Sequence, residues 1–278
     1  MRQFLCSVAP DKNGMLEVSG KDYKYLRQVL RIKSGDMVSL RLPDGTLENA
    51  TVCAVNDGAK VVVFQLCTQA GRSVTRGVQA QETKNAFANT EYWLFQFVAR
   101  PSKMEQIIRQ AVECGVKYIV PVEGVFSQKQ NILAMRSGKK ERIAKIVREA
   151  RQQSGSAVES CVLECVSLSK AMELWKKACE NFGDCDKLSL ALYERTEKTL
   201  PLHKVVAESC RQKKKTIAAL AVGCEGGISP EEMEILLEEK FIPVHFDVNI
   251  LRCETASIYG LAALQSAFLE KELWEFKE

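Results

Sequence analysis

The chain has 278 residues, of which 46% are hydrophobic and 27% are charged, and its net charge at neutral pH is only +4. This composition is typical of a globular protein and excludes collagen-like, disordered and low-complexity classes. No stretch approaches the roughly 20 apolar residues of a membrane helix, and the apolar stretch before Asp11 is too short for a secretory signal. We therefore expect a soluble, cytoplasmic protein with two domains.

Residues 1–70 have the pattern of a small β-barrel. Short β-rich segments alternate with turns, and Pro43–Thr46 and Asn56–Gly58 have the composition of hairpin connections. One helical segment, Asp22–Leu30, places its apolar side chains on one face. The predicted strands lie near Phe4–Val8, Met15–Val18, Asp36–Leu42, Leu47–Val55 and Lys60–Cys67. Five strands with one helix and no β–α alternation predict a barrel.

Residues 71–90 are polar and predict a linker between two domains. From residue 91 to residue 278 strands and helices alternate, which predicts a parallel sheet with helices on both faces. The predicted strands are Tyr92–Val98, Tyr118–Val122, Cys161–Val166, Leu188–Tyr193, Thr216–Val222 and Ile242–Phe246. The predicted helices are Lys103–Cys114, Lys139–Gln153, Lys170–Asn181, Leu202–Arg211, Pro230–Glu239 and Ala256–Lys271. Ser102 and Glu105 are expected to form a capping box for the first of them.

A glycine-rich connection follows the apolar strand Thr216–Val222. It contains Gly223, Gly226 and Gly227, and a helix with a predicted capping box of Ser229 and Glu232 begins directly after it. Glycines at the carboxyl end of a parallel strand let a ligand approach the backbone closely. The connection has neither the Walker A nor the dinucleotide-binding pattern. It is interpreted either as a ligand site or as a tight strand–helix connection.

A second charged connection precedes the last helix. Arg252 and Glu254 lie between an apolar strand and an apolar helix, where burial of unpaired charges would be costly. They are expected either to pair with each other or to face a cleft. Because both connections leave strands of the same sheet, together they predict a pocket for one small molecule.

These two connections carry a family resemblance. The stretches G-C-E-G-G-I-S-P-E-E (residues 223–232) and I-L-R-C-E-T-A (residues 250–256) resemble signatures of SPOUT-class methyltransferases, above all those that methylate N3 of a uridine in small-subunit ribosomal RNA. Residues 1–4 and 29–36 resemble that family's RNA-binding barrel, and residues 107–121 and 149–155 resemble two of its helical segments. The sequence departs from the family pattern at Cys224, Cys253, residues 247–249 and Ser156.

The resemblance implies a fold, a cofactor and an assembly. The fold is an α/β domain with a trefoil-knotted parallel sheet, preceded by a PUA-like β-barrel. The implied cofactor is S-adenosylmethionine, the partner is 16S ribosomal RNA of the small subunit, and the assembly is a homodimer. The implied cofactor-binding residues are Leu192, Glu194, Val222, Gly223, Glu225, Gly226, Gly227, Ile250, Leu251, Arg252, Thr255 and Ala256. Arg252 and Glu254 are the catalytic candidates, and Arg252 is expected either to stabilise charge on the uracil or to pair with Glu254.

Positive charge is concentrated in one part of the chain. Residues 100–151 contain 12 Lys and Arg against 5 Asp and Glu, whereas residues 225–278 contain 4 against 12. The basic stretch is interpreted either as a phosphate-binding face or as a solvated helix surface. The candidate RNA-binding residues are Arg2, Arg27, Arg31, Lys33, Lys139, Lys140, Arg142, Arg148 and Arg151. Tyr23 and Tyr25 are interpreted either as RNA contacts or as core residues.

Cysteines and histidines argue against a metal centre. The 11 cysteines include no C-x-x-C pair, and the chain has only 2 histidines. We therefore predict no metal site, and reduced cysteines that mostly fill the core. His203 and His245 are expected to have structural roles.

Two other functions remain open from the sequence. The first is a non-catalytic RNA-binding or ribosome-assembly factor that keeps the same fold. The second is a methyltransferase of the same class that acts on another RNA.

Overall fold

The computed structural model describes residues 3–67, 90–137, 140–194, 199–209, 215–246 and 248–270. The chain forms two compact units, one of Met1–Lys84 with Gln152–Ala157 and one of Asn85–Arg151 with Val158–Glu278. The predicted linker 71–90 lies outside the described residues except for Thr90, which begins a strand. The predicted RNA contacts Arg2 and Lys139 also lie outside them.

The N-terminal unit is a five-stranded, half-barrel sheet with the strand order β1-β3-β4-β5-β2. Its neighbouring strands are antiparallel except for the parallel pair β1 and β3. The strands are β1 (Gln3–Leu5), β2 (Met15–Ser19), β3 (Met37–Arg41), β4 (Leu47–Asn56) and β5 (Val61–Leu66). Helix α1 (Gly20–Lys24) continues into a π-helical turn, Tyr25–Val29. Side chains alternate between core and solvent, so that Leu16 and Val18 of β2 are buried while Glu17 is exposed.

A short segment from the middle of the chain completes this unit. Gln3 donates from its side-chain amide to the carbonyl oxygen of Ser156 at 3.1 Å. Its own amide oxygen accepts from the buried Arg41 guanidinium at 2.7 Å. Residues 152–157 therefore belong to the N-terminal unit, although the sequence places them within the second domain.

The second unit is a parallel sheet with the order β12-β10-β11-β6-β7-β8, and β9 also pairs with β7. Its strands are β6 (Thr90–Phe97), β7 (Tyr118–Glu123), β8 (Cys161–Val162), β9 (Val166–Ser167), β10 (Asp186–Leu192), β11 (Thr216–Val222) and β12 (Ile242–Val244). Its helices are α2 (Pro101–Glu113), α3 (Lys129–Arg136), α4 (Lys140–Ser154), α5 (Leu168–Asn181), α6 (Leu202–Ser209), α7 (Pro230–Glu238) and α8 (Cys253–Glu270).

Helices cover both faces of this sheet, as predicted. Successive side chains of a strand point to opposite faces. Trp93 and Phe95 of β6 pack on Trp175 of α5, with ring centroids 5.8 Å and 6.0 Å away. Tyr92 and Gln96 point the other way, to Phe268 and Ser257 of α8. Strand β11 is buried along its whole length and β6 from Tyr92 onward, and most of their side chains are apolar, which is typical of parallel sheets.

Several local predictions differ from the structure. Helix α3 was not predicted because its sequence, KQNILAMR, has a weak apolar pattern. The predicted strand Cys161–Val166 is two strands of two residues each. The predicted capping box is wrong: α2 begins at Pro101 with Arg100 as its N-cap, and Glu105 instead binds Arg142 at 2.6 Å. Proline favours the first helical position, which moves the start of the helix upstream.

The cysteines are less buried than the sequence indicates. Cys53, Cys67 and Cys161 are exposed, because the apolar segments around them also present a solvent face. No disulfide joins the cysteines of the described ranges, and no group of three His, Cys, Asp or Glu side chains that could hold a metal ion occurs there. Over the same ranges, no helix has the length and apolar character needed to cross a membrane.

Candidate functional site

A cavity of about 430 Å³ lies at the carboxyl ends of three neighbouring strands of the parallel sheet. Leu192, Val222 and Val244 are the last residues of β10, β11 and β12, and all three line it. The carboxyl edge of a parallel sheet is where α/β folds bind ligands, and the volume is within the usual range for small molecules.

Ten of the twelve predicted cofactor-binding residues line this cavity. They are Leu192, Glu194, Val222, Gly223, Glu225, Gly227, Ile250, Leu251, Arg252 and Ala256. Gly226 and Thr255 are not among its lining residues. The fold therefore brings together the cofactor-binding residues predicted from the sequence, except for one residue in each connection.

The glycine connection folds back on itself beside the cavity. Gly227 donates from its backbone NH to the carbonyl oxygen of Cys224 at 3.0 Å, and its φ of +79° favours glycine. A Cβ on Gly223 would lie 2.7 Å from the Cα of Gly227. Any side chain at Gly223 would therefore open the turn.

Gly226 is constrained by a different neighbour. A Cβ there would lie 2.8 Å from the Cβ of Phe126, which follows β7. The close approach that requires glycine at this position is therefore with Phe126, outside the cavity lining.

A buried carboxylate holds these two loops. Glu232 of α7 accepts from the backbone NH of Ser229 at 2.8 Å and from the backbone NH of Val125 at 2.7 Å. The first contact completes the predicted capping box with Ser229, and Pro230 is the first residue of the helix. The second contact fixes the loop after β7, so one side chain positions both loops.

Gln96 joins the two connections through hydrogen bonds. It was not predicted as a site residue. Its fully buried amide donates to the carbonyl oxygens of Val222 at 3.3 Å and Gly223 at 3.1 Å. Its amide oxygen accepts from Ser257 Oγ at 2.6 Å, and that hydroxyl also contacts the carbonyl oxygen of Cys253. A lone glutamine in the apolar strand YWLFQFV was the available signal, because buried amides need hydrogen-bond partners.

An ion-pair network lies at one side of the cavity. Lys103 Nζ is 2.8 Å from Glu254 Oε2 and 3.9 Å from Glu225 Oε1, and Arg100 Nε is 3.1 Å from the same Glu225 oxygen. Lys103 and Arg100 line the cavity, but neither was predicted as a site residue. Glu254 pairs with Lys103, not with Arg252, which excludes the pairing considered from the sequence.

These contacts fix the charges of the network. Burial opposes ionisation of Glu254, but hydrogen bonds from Lys103, its own backbone NH and the Cys253 thiol outweigh it and lower the pKa of its carboxyl to about 2. The hydrogen bond to Glu254 raises the pKa of Lys103. Burial, followed by the hydrogen bond to Glu254, raises the pKa of Cys253 to about 12. At neutral pH the site therefore contains a carboxylate, an ammonium and a neutral thiol.

Arg252 is an exposed cation of the cavity. It lines the cavity and makes no ion pair among the described residues. His245, expected to be structural, also lines the cavity, since β12 ends one residue before it. His203 lies at the start of α6.

The candidate RNA-binding residues of the N-terminal unit fall into two groups. Arg27 binds Asp57 at 2.9 Å and 3.1 Å and the carbonyl oxygen of Ile32 at 2.7 Å. The hydroxyl of Tyr23 donates to the same carboxylate, so this cluster braces the fold. Arg31 and Lys33 are exposed.

The candidate phosphate contacts of α4 are partly neutralised. Lys140 lies 3.1 Å from Glu164 and Arg142 lies 2.6 Å from Glu105. Arg148 and Arg151 are half-buried, and burial lowers the pKa of Arg151. The surface is therefore less positive than the count of basic residues indicates.

Comparisons with known proteins cover nearly the whole chain. The sequence profile of the RNA methyltransferase domain matches residues 65–265. The ribosomal RNA small subunit methyltransferase E of Bacillus subtilis is 23% identical over 247 residues, which are 89% of this chain and 88% of that protein. The ribosomal RNA small subunit methyltransferase E 2 of Borreliella burgdorferi is 26% identical over 250 residues, 90% of each chain.

A solved structure has the same fold over both units. It is the ribosomal RNA small subunit methyltransferase E from Neisseria gonorrhoeae bound to S-adenosyl methionine, with a TM-score of 0.70 and 19% identity, and the match covers 99% of this chain and 98% of that one. The predicted fold class, a SPOUT-like α/β domain with a PUA-like N-terminal unit, is thereby confirmed. The trefoil knot stays a prediction of the resemblance. Because the matching profile covers most of its length, the chain belongs to the RNA methyltransferase domain family.

Proposed function

We propose that this chain transfers a methyl group from S-adenosylmethionine to N3 of a uridine in 16S ribosomal RNA of the small ribosomal subunit. The observation that carries the proposal is the cavity at the ends of β10, β11 and β12, bounded by the glycine turn and by the connection to α8. Relatives that match almost the whole chain are named ribosomal RNA small subunit methyltransferase E, and the Neisseria structure contains S-adenosyl methionine.

The volume and the lining of the cavity suit the cofactor. Its apolar walls include Leu192, Ile228, Val244 and Leu251, which suit an adenine ring, and backbone groups at the strand ends suit its polar edges. A Cβ on Gly223 would push the turn into this space. The residues proposed to hold the cofactor are the predicted set, Leu192, Glu194, Val222, Gly223, Glu225, Gly226, Gly227, Ile250, Leu251, Arg252, Thr255 and Ala256, with Gly226 and Thr255 acting through the loops.

The chemistry requires alignment and charge stabilisation. When bound, S-adenosylmethionine supplies a methyl carbon on a positively charged sulfur, and this sulfur leaves as a nucleophile attacks the carbon in line. The protein contributes by holding the acceptor base against that carbon, and alignment of this kind lowers the barrier substantially. Uracil N3 must also lose a proton, so cations near the base assist by stabilising the negative charge. Arg252, exposed at the cavity, is placed for this role or for a phosphate contact.

Glu254 does not suit the role of general base. A carboxyl with a pKa of about 2 accepts a proton poorly at neutral pH, and its oxygen already binds Lys103. We therefore assign Glu254 a positioning role in the proposed reaction.

The RNA contacts and the assembly follow from the resemblance and from charge. Arg2, Arg31, Lys33, Lys139, Lys140, Arg142, Arg148 and Arg151 are proposed phosphate contacts, and Arg27 is proposed to shape the N-terminal unit, which carries the first three of them. Nucleic-acid affinity rests largely on such charges. A homodimer in which α8 lies at the interface is the proposed assembly.

Two measurements test the proposed function. Calorimetry of the purified chain with S-adenosylmethionine should show saturable binding at one site per chain. Mass-spectrometric mapping of ribosomal RNA from cells with and without the protein should show a 3-methyluridine that depends on it. Absence of cofactor binding would instead support an RNA-binding or assembly factor, and a methylated nucleotide in another RNA would redirect the substrate.

A further inference from the structure

Lys103 occupies a position that helix formation disfavours. It is the third residue of α2, whose first turn contains no acidic residue, and a cation there opposes the helix dipole. Its side chain is only 14% exposed. A charged group placed against a local rule is a mark of functional sites, and Lys103 lines the cavity.

The ammonium of Lys103 has donors that the protein does not use. An ammonium carries three N–H groups. One is bound to Glu254 Oε2 at 2.8 Å, and a second meets only the weak sulfur acceptor of Cys253 at 3.8 Å. Glu225 Oε1, at 3.9 Å, is beyond hydrogen-bond distance. At least one donor is therefore left for a molecule in the cavity.

On this basis we infer that Lys103 is a catalytic residue that donates to a carbonyl oxygen of the target base and stabilises the negative charge that develops on it, and that Glu254 positions it. The inference rests on the proposed function. In the step, N3 loses its proton to water and bonds to the methyl carbon, while the carbon–sulfur bond breaks with its electron pair staying on sulfur. Lys103 keeps its protons throughout.

The surrounding carboxylates favour a neutral ligand group at Lys103. A permanent anion bound there, such as the carboxylate of an amino acid, would also lie near Glu225 and Glu254. A carbonyl oxygen is neutral in the ground state and meets no such repulsion on binding, and the charge that develops on it later is stabilised by direct contact with the Lys103 ammonium. Interactions that strengthen only in the transition state are those that raise kcat.

Lys103 is also better fixed than Arg252. Arg252 is exposed and has no ion-pair partner among the described residues, whereas Lys103 is held by a short contact to Glu254. Donors that are already oriented stabilise developing charge without paying for reorganisation.

The test compares Lys103→Gln with Lys103→Arg and with the double variant Lys103→Gln/Glu254→Gln. Lys103→Gln should bind S-adenosylmethionine with wild-type affinity in calorimetry and should keep the KM for RNA, while kcat falls by about a hundredfold or more. Lys103→Arg should recover part of that loss. The control is Lys176→Gln, which breaks an ion pair of 2.7 Å outside the cavity and should leave all of these values unchanged.

The double variant separates a catalytic lysine from a structural one. Lys103→Gln alone leaves the Glu254 carboxylate without its counter-charge, which lowers the melting temperature. The double variant should regain stability but not kcat. Recovery of kcat in the double variant would overturn the inference, as would wild-type kcat or a more than about tenfold weaker cofactor affinity in Lys103→Gln. Wild-type protein that binds no cofactor would overturn the proposed function itself.

Discussion

Each unit of the molecule contains an ion pair, and the two pairs differ in burial and in whether the cation lines the cavity. In the N-terminal unit, Arg27 is shared between Asp57 and the Ile32 carbonyl, and Tyr23 binds the same carboxylate. In the methyltransferase unit, Lys103 binds Glu254 and retains donors beside a cavity.

The exposures of the two ion pairs differ in the same sense. Arg27 and Asp57 are 30% and 64% exposed, whereas Lys103 and Glu254 are 14% and 13% exposed. A cation that donates to a carboxylate and a backbone carbonyl outside the cavity braces the fold. One that keeps a donor in a partly desolvated cavity is available to a ligand, and its charge acts through a lower dielectric.

The largest effect is expected from Gly223→Ala, which changes the glycine turn beside the cavity. The added Cβ would lie 2.7 Å from the Cα of Gly227, so the turn must open into the cavity. We expect affinity for S-adenosylmethionine to fall by about a hundredfold or more, measured by calorimetry. Gly58→Ala is the matched control: its nearest contact, 3.4 Å to Asn56, is ordinary, and cofactor binding should not change.

A smaller effect is expected on stability, because loss of the two ion pairs should lower the unfolding free energy by different amounts. Glu254→Ala leaves Lys103 largely buried without its partner, which costs about 3 kcal/mol of unfolding free energy. Asp57→Ala breaks a solvent-exposed pair, so its effect should be much smaller. Urea unfolding followed by tryptophan fluorescence, together with melting temperatures, compares the variants. Equal losses of unfolding free energy in Glu254→Ala and Asp57→Ala would show that burial does not distinguish the two ion pairs.

The smallest effect is a difference in acid sensitivity. Glu254 has its pKa lowered from 4.5 to about 2, so its contribution to stability is complete above pH 5 and is lost as pH falls toward 2. The gap in unfolding free energy between wild type and Glu254→Gln should therefore shrink over this range, by at most about 3 kcal/mol. Glu164→Gln, in an exposed pair with Lys140, is the control. A gap that stays constant with pH would contradict the stabilisation of the Glu254 carboxylate by Lys103 and its other hydrogen-bond donors.

Local sequence patterns predicted the parts of the site that local structure builds. Strand β11 has the predicted bounds, Thr216–Val222, because an unbroken apolar segment ends at glycine. The capping box of Ser229 and Glu232 was also predicted, since both partners lie within one helical turn.

Contacts between distant residues explain what the sequence did not predict. Gln96 meets Ser257 across 161 positions, and Lys103 meets Cys253 across 150. Glu105 has the spacing of a cap but binds Arg142, whose guanidinium lies 2.6 Å from it in the folded chain. The charged residues of the last connection were recognised, whereas the cation that binds Glu254 could be identified only from the fold.

The central claim is methyl transfer to N3 of a uridine in small-subunit ribosomal RNA. Its most direct test incubates the purified chain with that RNA and S-adenosylmethionine isotopically labelled in the methyl group, followed by digestion to nucleosides and mass spectrometry. We expect label in 3-methyluridine with the wild-type chain and no label with Gly223→Ala. Label confined to the ribose or to another base, or no label from a chain that binds the cofactor, would contradict it.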